Sequence, residues 1–354
     1  MAANTMGSCL GAAAFVLVGY EVHPSFLAVL ISLGYAAVAV RLPDQGRVMG
    51  MTLGYLGAIS ASLYGGFLIQ RGRGSQLSEY FGREGVVRVL SGKDVFLNGL
   101  WHSSFSFGNN HVGSSNWRMA AVPLLIRDDR PADVLIIGFS VGISAATYAQ
   151  SDLVRRVDGY EINPEMRNVL RDYPDGSLHV LDHPKVHVRW EDARICLVTT
   201  PTTYDIIAQA PLHLAQAGSS ALYSEEYFRI VKGRLRPGGI FVLYSNSQIP
   251  EQGRIARETA RRVFRHGMSF GQGYLLIMTD QEVTWSESRA RELLTSGIHG
   301  SAFTRDVNTF GVENLSRWLD SPPLPWDGAI ARSTDDRPIL EYPFWIRWIG
   351  DHRD

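Results

Sequence analysis

The chain has 354 residues with 34 Lys and Arg against 35 Asp and Glu, and 45% of its residues are hydrophobic. This length allows one large domain with a smaller one, and the formal net charge of -1 excludes the broad basic face of a nucleic-acid-binding protein. Two cysteines exclude a disulfide framework and favour a reducing compartment, and the ten histidines show no metal-site spacing, so we predict no metal.

The first predicted elements are two apolar segments near the N-terminus. Only Glu21 and His23 interrupt residues 6–40, and residues 48–69 carry no charge. Because a bilayer-spanning helix needs about 20 apolar residues, we predict two or three transmembrane helices within residues 1–74. A signal peptide and buried soluble helices are the alternatives, although residues 1–7 lack the basic start of a signal peptide. We therefore expect a membrane protein whose soluble part faces the cytoplasm.

A small β-region is predicted next, over residues 75–130. Residues 86–99 have the pattern of a hairpin that turns at Ser91-Gly92. From residue 131 to the end at residue 354, buried strands alternate with helices, which predicts an α/β fold with a parallel sheet covered on both faces. The five strands are predicted at residues 134–138, 156–161, 186–190, 204–207 and 240–245.

Three details of this α/β part are specific enough to test. A helix is expected to begin at Pro164, because proline suits the first helical turn. Another is expected over residues 224–235 with Ser224 as its N-cap. Pro237 and the two glycines that follow are expected to form a turn. Asp205, inside the fourth strand, is expected to have a structural role.

Polar residues follow the first three strands, and ligands of such sheets bind at the carboxyl ends of the strands. Gly138 opens a glycine loop, and Glu161 ends the second strand, where a carboxylate can accept hydrogen bonds from two ribose hydroxyls. Asp192 follows the third strand and can accept from an adenine amino group. Together they predict an adenosine-type ligand. The predicted cofactor-binding residues are Gly138, Ser140, Gly142, Glu161, Ile162, Asp192 and Ala193.

These residues resemble the spermidine synthase family, a branch of the class I S-adenosylmethionine-dependent, Rossmann-like fold. The similar stretches are LNGLWHSS (97–104), VLIIGFSVG (134–142), GYEINPEM (159–166), EDAR (191–194) and LYSEEYFRIVKGRLRPGGIFVL (222–243). STDDRPILEY (333–342) resembles the ending of a membrane-fused subgroup. The resemblance implies S-adenosylmethionine or its decarboxylated form as cofactor, a small-molecule substrate, and allows a homodimer.

The acceptor half departs from the family. The glycine-loop aspartate that receives the aminopropyl ammonium corresponds to Val141, and the subgroup's acid after the fourth strand corresponds to Ala210. A Tyr-x-Glu motif corresponds to residues 115–117. Neutral residues stand where carboxylates are expected: Gln209, His213 and Gln216. Since a polyamine is a polycation held by carboxylates or aromatic faces, we predict a non-polyamine acceptor that is neutral or apolar.

Three residues are the predicted catalytic groups: His102, His213 and Tyr223. His102 replaces a glutamine of the family's N-terminal motif and has the pKa range of a general base near neutrality. His213 lies in the loop that lacks its acid, and Tyr223 follows that loop. Structural roles are the alternatives for all three. Trp101 and Trp117 are expected either to form an aromatic cage for a sulfonium or an apolar acceptor, or to pack in the hydrophobic core. Asp335 and Asp336 are expected to cap a helix or to hold Arg337.

Four functions stay open from the sequence. The first is a membrane-anchored, S-adenosylmethionine-dependent transferase, which moves a methyl or aminopropyl group. The second is aminopropyl transfer to a polyamine. The third is a cyclase or lyase that uses the same fold, and the fourth is a binding module without turnover.

Overall fold

The computed structural model describes residues 77–210, 218–245, 250–320 and 332–341. The predicted transmembrane region, residues 1–74, therefore lies outside the described residues, as do His213 and Gln216. In the part of the chain that is described, no helix is both long and apolar enough to cross a bilayer. The chain divides into two units, Met1–Ser103 and Ser104–Asp354.

The first unit contains a four-stranded sheet in which the strands follow chain order. The predicted hairpin is present as an antiparallel pair, and Ser91 and Gly92 turn with φ of 53° and 65°. Val87, Val89 and Val95 supply its buried side chains. The strands are β1 (Leu77–Gly82), β2 (Gly85–Leu90), β3 (Asp94–Leu97) and β4 (Leu100–Ser104).

The second unit contains a seven-stranded sheet in the order β10-β11-β9-β8-β5-β6-β7. Its strands are β5 (Ala132–Ile137), β6 (Val154–Tyr160), β7 (Val186–Arg189), β8 (Tyr204–Gln209), β9 (Leu235–Tyr244), β10 (His266–Phe270) and β11 (Leu275–Thr279). Its helices are α1 (Ser115–Ile126), α2 (Ile143–Ala149), α3 (Met166–Asp172), α4 (Ala193–Thr199), α5 (Glu225–Gly233), α6 (Pro250–Arg261), α7 (Glu287–Thr295), α8 (Ser301–Phe310) and α9 (Val312–Trp318).

The expectation of a parallel sheet is correct for the five consecutive strands β5 to β9 and wrong for the two strands at the other edge, β10 and β11. Strands β5 to β9 are parallel to their neighbours in the sheet, as the strand–helix alternation predicts. Strand β11 pairs antiparallel with β9, and β10 pairs antiparallel with β11. A short turn at residues 271–274 joins β10 to β11, and only antiparallel strands can be joined so tightly. The sheet is therefore mixed.

The turn predicted at Pro237 is also wrong, because the backbone stays within β9. Leu235 pairs with Tyr204 and Ile240 pairs with Ile206, so four residues of β9 (236–239) lie opposite the single residue Asp205 of β8. The extra residues form an irregularity in the strand, and Gly238 adopts a φ of 76° there. Glycine allows this left-handed conformation without a Cβ clash.

Of the two helix predictions, one is correct in its N-cap and the other is wrong in its first residue. Ser224 is the N-cap of α5, and its Oγ accepts a hydrogen bond from the Tyr227 amide at 3.2 Å, as predicted. The helix expected at Pro164 begins two residues later, at Met166. Asp205 has the predicted structural role, because its carboxylate accepts from the Asp133 amide at 2.8 Å and from Arg236 at 2.6 Å.

Candidate cofactor and acceptor site

The glycine loop joins the end of β5 to the start of α2. Gly138 and Gly142 adopt φ values of 77° and 79°, and Ser140 between them adopts 52°. A Cβ added to Gly142 would lie 2.5 Å from a methyl carbon of Val180, so only glycine fits this position. The amide of Ser140 donates to Glu161 at 3.0 Å. The loop therefore lies against the end of the neighbouring strand β6.

Glu161 follows β6 directly, and its side chain is buried. One carboxylate oxygen accepts from the amide of Ser140 and the other from the amide of Asn163, both at 3.0 Å. Burial raises the pKa of the Glu161 carboxyl, although hydrogen bonds from Asn163 and Ser140 oppose this shift. The backbone amides of Phe139 and Ile162 also interact with this carboxylate, so backbone donors fix its orientation at the end of β6. Ile162 beside it is exposed.

Asp192 is the N-cap of α4. Its Oδ1 accepts from the amides of Arg194 at 2.7 Å and Ile195 at 3.2 Å. Within the described ranges its other oxygen, Oδ2, has no hydrogen-bond partner and can accept from a ligand. Ala193, the first residue of the helix, is buried. The side chain is therefore oriented by backbone donors with one oxygen to spare.

Backbone hydrogen bonds hold these three strand ends side by side. The Gly138 amide donates to the Tyr160 carbonyl at 2.9 Å, which joins the glycine loop to the end of β6. The Glu161 amide donates to the Arg189 carbonyl at 3.1 Å, which joins β6 to the end of β7. The structure thus brings the predicted glycine loop and both predicted acids to one edge of the sheet. Their role in cofactor binding stays a prediction.

Arg194 connects this edge to the C-terminal motif, which the sequence did not predict. Its guanidinium donates to the Ala221 carbonyl at 2.7 Å and to Asp335 Oδ1 at 2.8 Å, and it also contacts Asp335 Oδ2. The Asp335 amide donates to Glu226 at 3.1 Å. Asp335 therefore has a structural role at the start of α5, and its ion-pair partner is Arg194 instead of the expected Arg337. The two partners are far apart in sequence, so no local pattern could have paired them.

The three residues that were predicted to correspond to acids of the family or to stand beside them are buried. The side chain of Val141 is 0% exposed, and Ala210 is buried at the end of β8. The Gln209 amide donates to the Leu222 carbonyl at 3.1 Å, and the Tyr227 hydroxyl donates to Gln209 Oε1 at 2.8 Å. Gln209 therefore fastens both ends of the loop between β8 and α5. Both polar groups of Gln209 are thus used within the fold, and its correspondence to a carboxylate of the family stays a prediction.

The three predicted catalytic residues have different structural settings. His102 lies on β4 of the first unit and is half-buried. Tyr223 belongs to the core of the second unit, where it is 1% exposed. His213 lies outside the described residues. Of the two tryptophans, Trp101 is exposed on β4, whereas Trp117 is fully buried against Phe310 and is therefore core. The catalytic roles stay predictions.

The described residues contain no group of three or more His, Cys, Asp or Glu side chains that could hold a metal ion. Cys196 is a buried thiol, and burial raises its pKa to about 11, which suits an inert structural cysteine. We therefore assign no chemistry to Cys196.

The strand order, the antiparallel β11 and the glycine loop after β5 define the second unit as a Rossmann-like fold of the methyltransferase type. Residues 117–275 match the spermine/spermidine synthase domain. This part of the chain is therefore similar to a spermidine synthase domain.

Sequence relatives agree with this domain. The chain is 32% identical over 193 residues to a polyamine aminopropyltransferase of Aeropyrum pernix, a match that covers 52% of this chain and 60% of that enzyme. It is 25% identical over 271 residues to polyamine aminopropyltransferase 2 of Hyperthermus butylicus, with coverages of 70% and 84%. These matches support the spermidine synthase family. With the first relative, the shared region spans less than two thirds of the relative's length.

A solved structure gives a weaker likeness. Spermidine synthase from Thermotoga maritima is 14% identical with a TM-score of 0.44, and the match covers 78% of this chain and 84% of that chain. Because identity and TM-score are both low, this likeness carries no argument about function.

Proposed function

We propose that this protein is a spermidine synthase-type transferase that binds S-adenosylmethionine or its decarboxylated form and acts on an acceptor other than a polyamine. One contrast carries the proposal. Glu161 and Asp192 place carboxylates at the ends of β6 and β7, where Asp192 keeps an oxygen without a partner among the described residues, whereas Val141, Gln209 and Ala210 offer no carboxylate for a polycation.

The physical reason is charge pairing in a desolvated site. A hydrogen bond to a charged group contributes about 1.5–3 kcal/mol, so the loss of two carboxylates removes most of the recognition of a polyamine. Recognition of the nucleoside is not weakened in this way, because Glu161 and Asp192 and the backbone amides that orient them are present. The product depends on the cofactor: S-adenosylhomocysteine after methyl transfer, or methylthioadenosine after aminopropyl transfer.

Aminopropyl transfer to a polyamine is the second candidate. The relatives from Aeropyrum pernix and Hyperthermus butylicus are named polyamine aminopropyltransferases, which favours it. It requires residues other than Val141 and Ala210 to hold the ammonium groups, since those two are apolar and buried.

We also propose a membrane anchor. The apolar segments at residues 6–40 and 48–69 have the length for it, and the ending at residues 333–342 resembles the membrane-fused subgroup. In this arrangement the second unit faces the cytoplasm. His102 is the proposed general base. The proposed assembly is a homodimer.

Calorimetric titration of the full chain in detergent tests the proposal. We expect saturable binding of 5′-methylthioadenosine, and we expect Glu161→Gln to weaken it at least about tenfold, because the amide nitrogen cannot accept a hydroxyl. Glu292→Gln is the matched control, since this glutamate is exposed on α7. Incubation with each cofactor form and putrescine then separates the candidates. If putrescine is converted as fast as a polyamine aminopropyltransferase converts it, the proposed non-polyamine acceptor is wrong. If the protein does not bind 5′-methylthioadenosine, the whole proposal is wrong.

A further inference from the structure

Arg118, on the first turns of α1, is a half-buried cation without an acidic partner in the described part of the chain. Its guanidinium carbon lies 4.5 Å from the ring centroid of Trp318 and 5.2 Å from that of Phe310. Its Nε is buried and has no hydrogen-bond partner. Two aromatic rings therefore replace the carboxylate that usually accompanies a desolvated arginine.

This environment leaves the Nε donor of the guanidinium unsatisfied. Ring faces attract its charge but accept no in-plane hydrogen bond, and five N–H donors lie in that plane. Burial lowers the pKa of Arg118, and the nearby Tyr244 phenol opposes the shift. A planar, desolvated guanidinium is the side chain best suited to pair with a carboxylate or a phosphate. An incoming anion would complete the hydrogen bonds that the protein leaves unmade.

The position of α1 places this cation at the ligand-binding edge of the sheet. Tyr244 ends β9, and its hydroxyl donates to Ser115 Oγ at 2.9 Å. Ser144, near the start of α2 and just after the glycine loop, donates to the Asn116 carbonyl at 2.8 Å. The start of α1 thus connects the carboxyl ends of β9 and β5, one turn before Arg118.

The sheet order separates Arg118 from the nucleoside acids. Glu161 and Asp192 follow β6 and β7, on one side of the glycine loop after β5. Tyr244 and the start of α1 lie on the other side, by β9. An adenosine held by the two acids therefore occupies the β6–β7 side, and the β9 side is left for the second substrate.

We infer that Arg118 binds an anionic group of the acceptor, a carboxylate or a phosphate. The inference rests on the proposed function and replaces the neutral or apolar acceptor predicted from the sequence with an anionic one. It also accounts for the missing acids, because carboxylates in this half of the site would repel such an acceptor.

A matched pair of probes tests the inference: putrescine and 4-aminobutyrate, which has the same chain length with one ammonium end replaced by a carboxylate. Each is titrated calorimetrically into the full chain in detergent, saturated with 5′-methylthioadenosine. We expect 4-aminobutyrate to bind at least about tenfold more tightly than putrescine. We expect Arg118→Gln to abolish this preference and Arg118→Lys to retain part of it. Nucleoside affinity should not change in either variant.

Phe310→Leu controls for packing, because it removes one ring and keeps the charge. It should lower the unfolding temperature and preserve the preference for 4-aminobutyrate. Tighter binding of putrescine by the wild type, or an equal preference in wild type and Arg118→Gln, overturns the inference. So does a loss of preference in Phe310→Leu equal to that in Arg118→Gln, since Arg118 would then act only in packing.

A further arm identifies the source of the anion. If Arg118→Gln weakens intact S-adenosylmethionine about tenfold and leaves the decarboxylated form unchanged, the anion belongs to the cofactor and the acceptor assignment is wrong. If 5′-methylthioadenosine does not bind, the proposed function fails. In that case putrescine and 4-aminobutyrate are titrated into the protein without nucleoside, and their relative affinities still show whether Arg118 prefers an anion.

Discussion

Removing the Asp335 carboxylate should weaken the connection between the C-terminal motif and the turn that carries Asp192. Asp335 contacts the Arg194 guanidinium through both oxygens, and Arg194 also donates to the Ala221 carbonyl at 2.7 Å. The perturbation is Asp335→Ala, with Arg194→Ala and the double variant completing a double-mutant cycle.

The exposure of the pair sets the magnitude. The Arg194 side chain is 23% exposed and that of Asp335 is 40% exposed, so solvent screens much of the attraction. Buried charged hydrogen bonds contribute about 1.5–3 kcal/mol, but a pair this exposed should couple by about 1 kcal/mol. Arg194→Ala should cost more than Asp335→Ala, because it also leaves the Ala221 carbonyl without its donor.

Urea unfolding of the four proteins measures the coupling, and nucleoside titration measures its effect on the site. Each single variant should bind 5′-methylthioadenosine about threefold to fivefold more weakly, and the double variant should be no weaker than Arg194→Ala. Strictly additive losses in the cycle would refute the reasoning, since they would mean that the two side chains do not interact.

The pH dependence has a definite sign. The hydrogen bond from Arg194 holds the pKa of the Asp335 carboxyl below its ordinary value, despite partial burial. A carboxyl with a lowered pKa in the folded state contributes stability above its unfolded pKa, about 3.9, and loses it as the pH falls through the folded value. The stability difference between wild type and Asp335→Asn should therefore be full at neutral pH and vanish in strong acid.

Substitutions at three positions, Gly142, Gln209 and Val141, test the glycine loop and its surroundings by urea unfolding. Gly142→Ala should destabilise by about 1 kcal/mol more than Gly297→Ala, because both positions have positive φ but only the first would bring a Cβ within 2.5 Å of a neighbour. Gln209→Leu should cost about 1–3 kcal/mol, since the Tyr227 hydroxyl loses its buried acceptor, whereas Gln209→Glu should cost less. Val141→Asp should cost several kcal/mol without creating putrescine binding, because the side chain at that position is fully buried. Full stability in any of these variants would contradict the corresponding contact.

Local pattern was sufficient for the five parallel strands and for the positions of the glycine loop, Glu161 and Asp192. Buried strands alternate with helices in the sequence, and this order dictates parallel pairing of the central strands. The glycine loop, Glu161 and Asp192 each follow a strand, and the ends of parallel strands meet at one edge. The N-cap at Ser224 depends on a side chain three residues from its amide partner, so it too is readable locally.

What the sequence by itself determined is therefore the Rossmann-like class and the placement of the glycine loop, Glu161 and Asp192 at one edge of the sheet, because both follow from periodicity and from residues next to each strand end. Only the tertiary structure decided the antiparallel edge strands, the partner of Arg194 and the environment of Arg118. Asp335 lies 141 residues from Arg194, and Trp318 and Phe310 come from helices near the far end of the described chain. Such contacts depend on packing between distant segments, for which neither spacing nor composition carries a signal.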